Sequence, residues 1–150
     1  MSEQYTYPVK AVWEGGRKGT VSAEGITPSI RFSSPPEFKG DAGFWTPEHF
    51  LVAAVASCYV ATFYAMANNS KMEFRRLELE VEGKLGKPQG KLRFTGMVLR
   101  PKLELLRHED RDRAIRLLEK AEQGCLIAHS LVCPVSVEPA IHDEEEIMAS

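Results

Sequence analysis

The stretch TPEHFLVAAVASCYVATFYAMA, Thr46–Ala67, organises the reading of this chain. Thr46 has the side chain of a helix N-cap, Pro47 suits the first helical position, and Glu48 complements the positive end of the helix dipole. These signals predict a helix from Thr46 to about Asn68, where NNSK ends it. The helix is apolar nearly all round, so most of its faces must be covered. A 150-residue chain can hardly wrap such a helix alone, and a homodimer packing two of them together is the expected solution. The apolar run Phe50–Ala67 is interrupted by Ser57, Cys58, Thr62 and Tyr64, and its length lies near the lower limit for spanning a bilayer. We read it as a core helix and not as a membrane span.

Upstream, Tyr5–Trp13 is rich in β-formers, Glu14–Gly19 (EGGRKG) is a glycine turn, and Thr20–Ala23 and Ser29–Phe32 read as short strands. The chain is thus expected to open as an antiparallel meander. Ser33–Trp45 carries two prolines and two glycines and reads as a long loop, a kind of segment that is often functional. Downstream, Leu77, Leu79 and Val81 alternate with Glu78, Glu80 and Glu82, as in a half-buried strand. Leu92–Pro101 returns as its hairpin partner after a turn at Lys84–Gly90. Leu105–Gln123 reads as a second helix with Ile115, Leu118, Ala121 and Cys125 on one stripe, stopped by Gly124. Leu126–Leu131 suggests a short helix, Cys133–Ala140 a final strand, and residues 141–150 an acidic tail. The fold class is α/β (α+β): antiparallel sheets around a long buried central helix, in one domain spanning residues 1–150.

Composition narrows the function. Apolar residues make up 43% and charged residues 27%, and the net charge is −2 with no Lys/Arg block, which argues against nucleic acid as a partner. The N-terminus has no basic segment followed by an apolar run, so no signal peptide is expected and a cytoplasmic location is. Three cysteines in that reducing setting are free, buried or catalytic rather than structural disulfides.

Cys58, taken alone, reads as a small buried hydrophobe, and burial without a neighbouring cation would leave it inert. Arg17, at the tip of the glycine turn, is the candidate cation, with Lys18 as a competitor. An arginine suits the role better, because its charge is permanent and its fork can bridge several oxygens. Glu48 either complements the helix dipole or orients Arg17. Ten residues of helix set Glu48 about 15 Å from Cys58 along the axis, so either Arg17 swings between them or one site combines Glu48 of one subunit with Cys58 of the other, the reading that the apolar helix favours. Cys125, 67 residues after Cys58, reads either as the next rung of the Leu118–Ala121 stripe or as a thiol at a helix N-terminus with a lowered pKa. Cys133 reads as a structural strand cysteine. His129, one turn beyond Cys125, is a candidate base or pocket wall, against the structural role that a lone histidine usually has. No CxxC or HxxxH pair supports a metal, and none is expected.

Three segments then match a known pattern: GGRKGTVSAEG, TPEHFLVAAVASC with its glutamate ten places before the cysteine, and EKAEQGCLIAHSL. Across nearly its whole length the chain resembles the OsmC/Ohr superfamily, the osmotically induced protein C and organic hydroperoxide resistance proteins. The resemblance implies an OsmC-like fold and an intertwined homodimer. It implies Cys58 as peroxidatic cysteine, Cys125 as resolving cysteine, and Arg17 and Glu48 as the pair serving the thiolate. One departure is that many members carry Cys-Pro-x-Ser at the second cysteine, a string found here at Cys133 and not at Cys125. Aligning on Cys125 keeps helix, cysteine, short helix and strand in order. The implied activity is reduction of organic hydroperoxides through a Cys58–Cys125 disulfide. It needs no cofactor beyond an external dithiol, which in the family can be of the lipoyl type. Phe44, Trp45, Phe50, Tyr59 and His129 are the expected pocket residues. The alternative is a redox-sensing or small-molecule-binding protein of the same fold without significant peroxidase activity.

Overall fold

The computed structural model describes residues 3–143, which form two compact units divided within the central helix, after Leu51. The first unit opens with a three-stranded antiparallel meander in the order β1-β2-β3: β1 Lys10–Trp13, β2 Lys18–Ala23 and β3 Ile26–Ser33. The expected first strand began at Tyr5, but residues 5–9 have no strand partner and Tyr5, Tyr7 and Val9 stand in the open. The meander covers little of itself: all of β1 and most of β3 are exposed, including Trp13 and Ile26.

The loop after β3 is more ordered than a proline- and glycine-rich stretch suggests. It holds a short 3-10 turn, Pro36–Phe38, and the buried Ser33 hydroxyl accepts from the Asp41 amide at 2.9 Å. The central helix, α1, spans Pro47–Asn69. Thr46 caps it as expected, its hydroxyl accepting from the His49 amide at 3.1 Å.

In the second unit, β4 (Phe74–Gly86) and β5 (Arg93–Leu105) form a long antiparallel pair. Leu77, Leu79 and Val81 lie opposite Leu103, Pro101 and Leu99 on the inner face, and Glu78, Glu80 and Glu82 point outward. The second helix, α2, is Arg111–Gly124 and the third, α3, is Leu126–His129. α2 starts six residues later than its apolar pattern suggested, because β5 continues through Leu103 and Leu105, which are fully buried in the sheet. The single strand expected at the end is two, β6 Val135–Val137 and β7 Ala140–His142, both parallel to β5. The break has a physical cause. Pro101 of β5 and Pro139 have no N–H to give a ladder, and Pro101 falls between the segments of β5 paired with β6 and with β7. The expected tail therefore begins inside the fold, with Ile141 and Asp143 buried, and its remainder lies outside the described residues.

The core of this unit is built on one stripe of α1: Val55, Tyr59, Phe63 and Ala67. Phe63 meets Phe74 edge-on at 5.3 Å, and the Tyr59 hydroxyl donates to the Leu118 carbonyl at 2.6 Å. Met97, Leu99 and Leu103 of β5 and Leu118 and Ala121 of α2 complete it. The rest of α1 is half-buried or exposed. It is long and apolar enough to cross a membrane, a test that the core helix of a folded domain also passes, yet only 22% of its most apolar window is buried. The expectation of a buried central helix thus holds for one stripe.

Candidate active site

Cys58 lies on α1, half-buried, and Cys125 sits fully buried at the N-cap of α3, between α2 and α3. The fold brings these two thiols together. The Cys125 thiol faces the Val55 carbonyl at 4.0 Å, one turn of α1 before Cys58, and the two thiols lie near enough for each to shift the other's pKa. All three cysteines are free, and Cys133 is buried just ahead of β6.

The two thiols have opposite character. Partial burial pushes the Cys58 thiol up. The N–H of Ile127, the S–H of Cys125, the hydroxyl of Thr62 and the N–H of Leu126 outweigh that push and hold it below the ordinary thiol value. Burial pushes the Cys125 thiol up, and its hydrogen bond to Cys58 and the charge there add to the rise, against the N–H groups of Ala128 and Ile127. This corrects the expectation of a lowered pKa for Cys125 at a helix N-terminus. The Ile127 and Leu126 amides at the start of α3 serve Cys58, and Cys125 is held protonated by burial and by its neighbour. The sequence reading also missed the donors themselves. Backbone amides leave no mark in a sequence, although the Gly124–Cys125 break did announce a new helix whose first N–H groups would be unspent. Thr62 was legible in principle, as a hydroxyl four places after Cys58.

Tyr59 was expected in a pocket wall. It is fully buried, its hydroxyl is used on Leu118, and burial with the charges of Glu122 and Cys125 holds its pKa far above the ordinary value. It is a core residue. His129 ends α3 with its side chain exposed and its amide bonded to the Cys125 carbonyl at 3.1 Å.

The remaining candidates belong to the first unit. Gly15 and Gly16 take positive φ, +106° and +57°, which turns the chain sharply before Arg17. The Arg17 carbonyl accepts from the Ser34 amide at 3.1 Å and the Trp13 indole donates to the Gly16 carbonyl at 2.9 Å, so the turn is fixed at both ends while the Arg17 side chain is exposed. It borders a recess of about 480 Å³ lined also by Glu14, Lys18, Lys39 and Asp41. Lys18, the rival cation, is paired with Asp41 at 3.1 Å. Arg17 has no such carboxylate partner among the described residues. Glu48 stands in the first turn of α1, and its Oε1 is buried with no hydrogen-bond partner among the described residues. A buried carboxylate oxygen left in that state is costly and calls for a donor. Trp45 stacks on Phe50, centroids 6.1 Å apart, Phe50 meets Phe32 edge-on at 6.4 Å, and Phe44 lies under the Arg31 guanidinium at 5.1 Å. Among the described residues no three His, Cys, Asp or Glu side chains are arranged to hold a metal ion.

Comparison with known proteins agrees with this architecture. The family model for OsmC-like protein matches residues 40–140. The uncharacterized protein YmaD of Bacillus subtilis is 31% identical over 136 residues, covering 87% of this chain and 89% of that protein. Among solved structures, an OsmC-like protein of unknown function from Vibrio cholerae superposes with a TM-score of 0.83 at 22% identity, over 91% of this chain and 99% of the other. An organic hydroperoxide resistance protein OsmC from Legionella pneumophila gives 0.74 at 24% identity, over 93% and 98%.

Proposed function

We propose that this chain, which belongs to the OsmC-like protein family, is a thiol-dependent hydroperoxide reductase with Cys58 as nucleophile and Cys125 as resolving thiol. The observation that carries this reading is the opposed character of two adjacent free thiols, one held toward the thiolate and the other toward the thiol. A thiolate is the nucleophile in peroxide reduction, and a protonated neighbour waits to condense with the product.

The steps balance as follows. The Cys58 thiolate attacks the distal oxygen of ROOH, the O–O bond breaks, and the alkoxide leaves and takes a proton, giving ROH and a Cys58 sulfenic acid. Cys125 attacks that sulfur, water departs, and a Cys58–Cys125 disulfide forms. An external dithiol returns the pair to two thiols. Arg17 and Glu48 take the roles that the family resemblance gives them, a permanent cation for the departing alkoxide and its anchor. The Glu48 oxygen and the Arg17 side chain, each without an ionic or hydrogen-bond partner among the described residues, support that pairing. The aromatic group Phe44, Trp45 and Phe50 suits an organic hydroperoxide over hydrogen peroxide.

The working unit we propose is a cytoplasmic homodimer. The uncovered faces of α1, with Val60 and Tyr64 exposed, and the bare β1–β3 meander support it. The test is turnover of cumene hydroperoxide with dithiothreitol. Cys58→Ser abolishes it, Cys125→Ser forms no intramolecular disulfide after peroxide treatment, and mass spectrometry of the peroxide-treated parent finds a Cys58–Cys125 link. Turnover that survives Cys58→Ser refutes the mechanism, and a Cys58–Cys133 link refutes the pairing. A disulfide without turnover favours the sensing alternative.

A further inference from the structure

The geometry points to Thr62 as a positioning residue that presents its hydroxyl to the Cys58 sulfur, with Gly124 as the seat that keeps it turned that way. The inference deepens the reading of Cys58 as nucleophile and rests on it. Thr62 lies one turn after Cys58 on the same face of α1, with Oγ1 3.9 Å from Sγ. That is long for a bond to a neutral thiol, and it is a contact that ionisation of the sulfur would shorten.

Two observations give the contact meaning. First, a helical Ser or Thr hydroxyl ordinarily bonds back to a carbonyl three or four residues earlier. Ser57 does so, to Ala53 at 2.9 Å and Ala54 at 3.2 Å, and so does Ser130, to Leu126 at 2.8 Å. Thr62 departs from this habit: among the described residues its hydroxyl meets the Cys58 sulfur instead of the Cys58 carbonyl. Second, the rotamer is held from outside the helix. A methyl built on Gly124 would lie 3.3 Å from Thr62 Cγ2 and 2.8 Å from Met66 Cε. The bare Cα of Gly124 therefore forms the surface against which the Thr62 methyl packs. With the methyl seated there, a β-branched side chain has little freedom left at χ1, and the hydroxyl is directed toward the sulfur. Gly124 also immediately precedes Cys125. One contact thus couples the placement of the resolving thiol to the side chain that prepares the nucleophile.

The test reads Cys58 alone. The reduced full-length protein is alkylated with iodoacetamide across pH, and the rate at the Cys58 peptide is followed by mass spectrometry and normalised to its alkaline plateau. Thr62→Val keeps the shape and removes the donor. On the acid side of the midpoint we expect its normalised rate to fall about threefold, a modest value for one hydrogen bond to a charged acceptor at long distance. Thr62→Ser returns the profile toward the parent. Gly124→Ala, which displaces the Thr62 methyl, slows Cys58 as Thr62→Val does, and combining the two adds nothing further. An unchanged profile in Thr62→Val, with or without a change in thermal stability, overturns the proposal. Identical profiles for Thr62→Val and Thr62→Ser do so as well, and additive effects of Gly124→Ala and Thr62→Val overturn the role of Gly124. Alkylation requires no peroxidase turnover, so these outcomes are separate from loss of the Cys58 mechanism, which the cumene hydroperoxide assay with Cys58→Ser decides.

Discussion

Leu126→Pro removes one donor from the Cys58 thiolate while asking little of the fold. Leu126 is the first residue of α3, where an amide has no helical acceptor and proline is accommodated. Cys125 before it is extended, at φ −77° and ψ 105°, the region a residue preceding proline favours. The Leu126 side chain is 68% exposed, so its loss forfeits little burial. A hydrogen bond to a charged group contributes about 1.5–3 kcal/mol. The Leu126 amide is the weakest of the Cys58 donors and the sulfur is half-buried, so about 1 kcal/mol is a fair allowance after solvent screening. At 1.36 kcal/mol per tenfold, this lowers the ionisation constant about fivefold. The thiolate left behind is more basic and about twice as nucleophilic, at a Brønsted slope of about 0.45. The alkylation profile of Cys58 in the variant should therefore cross that of the parent, about two to threefold slower on the acid side and about twofold faster on the alkaline plateau. A coincident profile in a variant with parental circular dichroism would refute the claim that the α3 amides stabilise this thiolate.

Four further outcomes follow from the same contacts. Tyr59→Phe deletes the bond to the Leu118 carbonyl and should lower the unfolding free energy by about 0.5–1.5 kcal/mol, seen as a lower urea midpoint at unchanged m-value. In the parent, Cys58 should be labelled at lower pH than Cys125. The stability contribution of Cys58, whose folded value is depressed, is present above the unfolded thiol pKa and lost as pH falls through the folded one. That of Cys125, whose folded value is raised, is present below the unfolded pKa and lost as pH rises through the folded one, so Cys125→Ala should soften the alkaline decline in thermal midpoint. In Cys58→Ser, where no thiolate faces it, Cys125 should be alkylated at lower pH than in the parent, and an unmoved profile would show that burial alone sets its protonation.

How much of this was legible before the fold was known depends on whether the cause was local. The start of α1 is written in Thr46, Pro47 and Glu48, and the structure keeps it there, because an N-cap needs only its own next turn. The inward Leu77–Leu79–Val81 pattern is equally local. The start of α2 was set too early because Leu105 is apolar at a helix-compatible step, and only the sheet reveals that it pairs with Phe74. The split between β6 and β7 likewise depends on two prolines far apart in sequence being brought to one level of the sheet. The site follows the same rule. The glutamate ten places before Cys58 and the cysteine after Gly124 could be matched to a pattern, but the donors around Cys58 come from two distant parts of the chain: Thr62 on α1, and the run Cys125, Leu126 and Ile127 at the start of α3.

That arrangement bears on how the second thiol is timed. On the proposed mechanism, Cys125 must stay out of the way while Cys58 meets a peroxide, then act as a nucleophile itself. Beyond burial, the influences that hold its proton are its hydrogen bond to the Cys58 sulfur and the negative charge there. Both belong to the reduced, ionised state of Cys58. Once Cys58 has become a neutral sulfenic acid, the charge is gone and the Cys125 proton has lost its anionic acceptor, while the amides of Ala128 and Ile127 still favour a Cys125 thiolate. Oxidation of the first thiol thereby shifts the second toward the form that can attack it. Arg17 need not be the sole source of thiolate stabilisation in such a site, since donors within the second unit already lower Cys58. On the proposed mechanism its permanent charge serves the alkoxide, whose charge develops only as the O–O bond breaks. Arg17→Lys should accordingly reduce turnover while leaving the alkylation profile of Cys58 in place, and loss of both together would return the thiolate to the arginine.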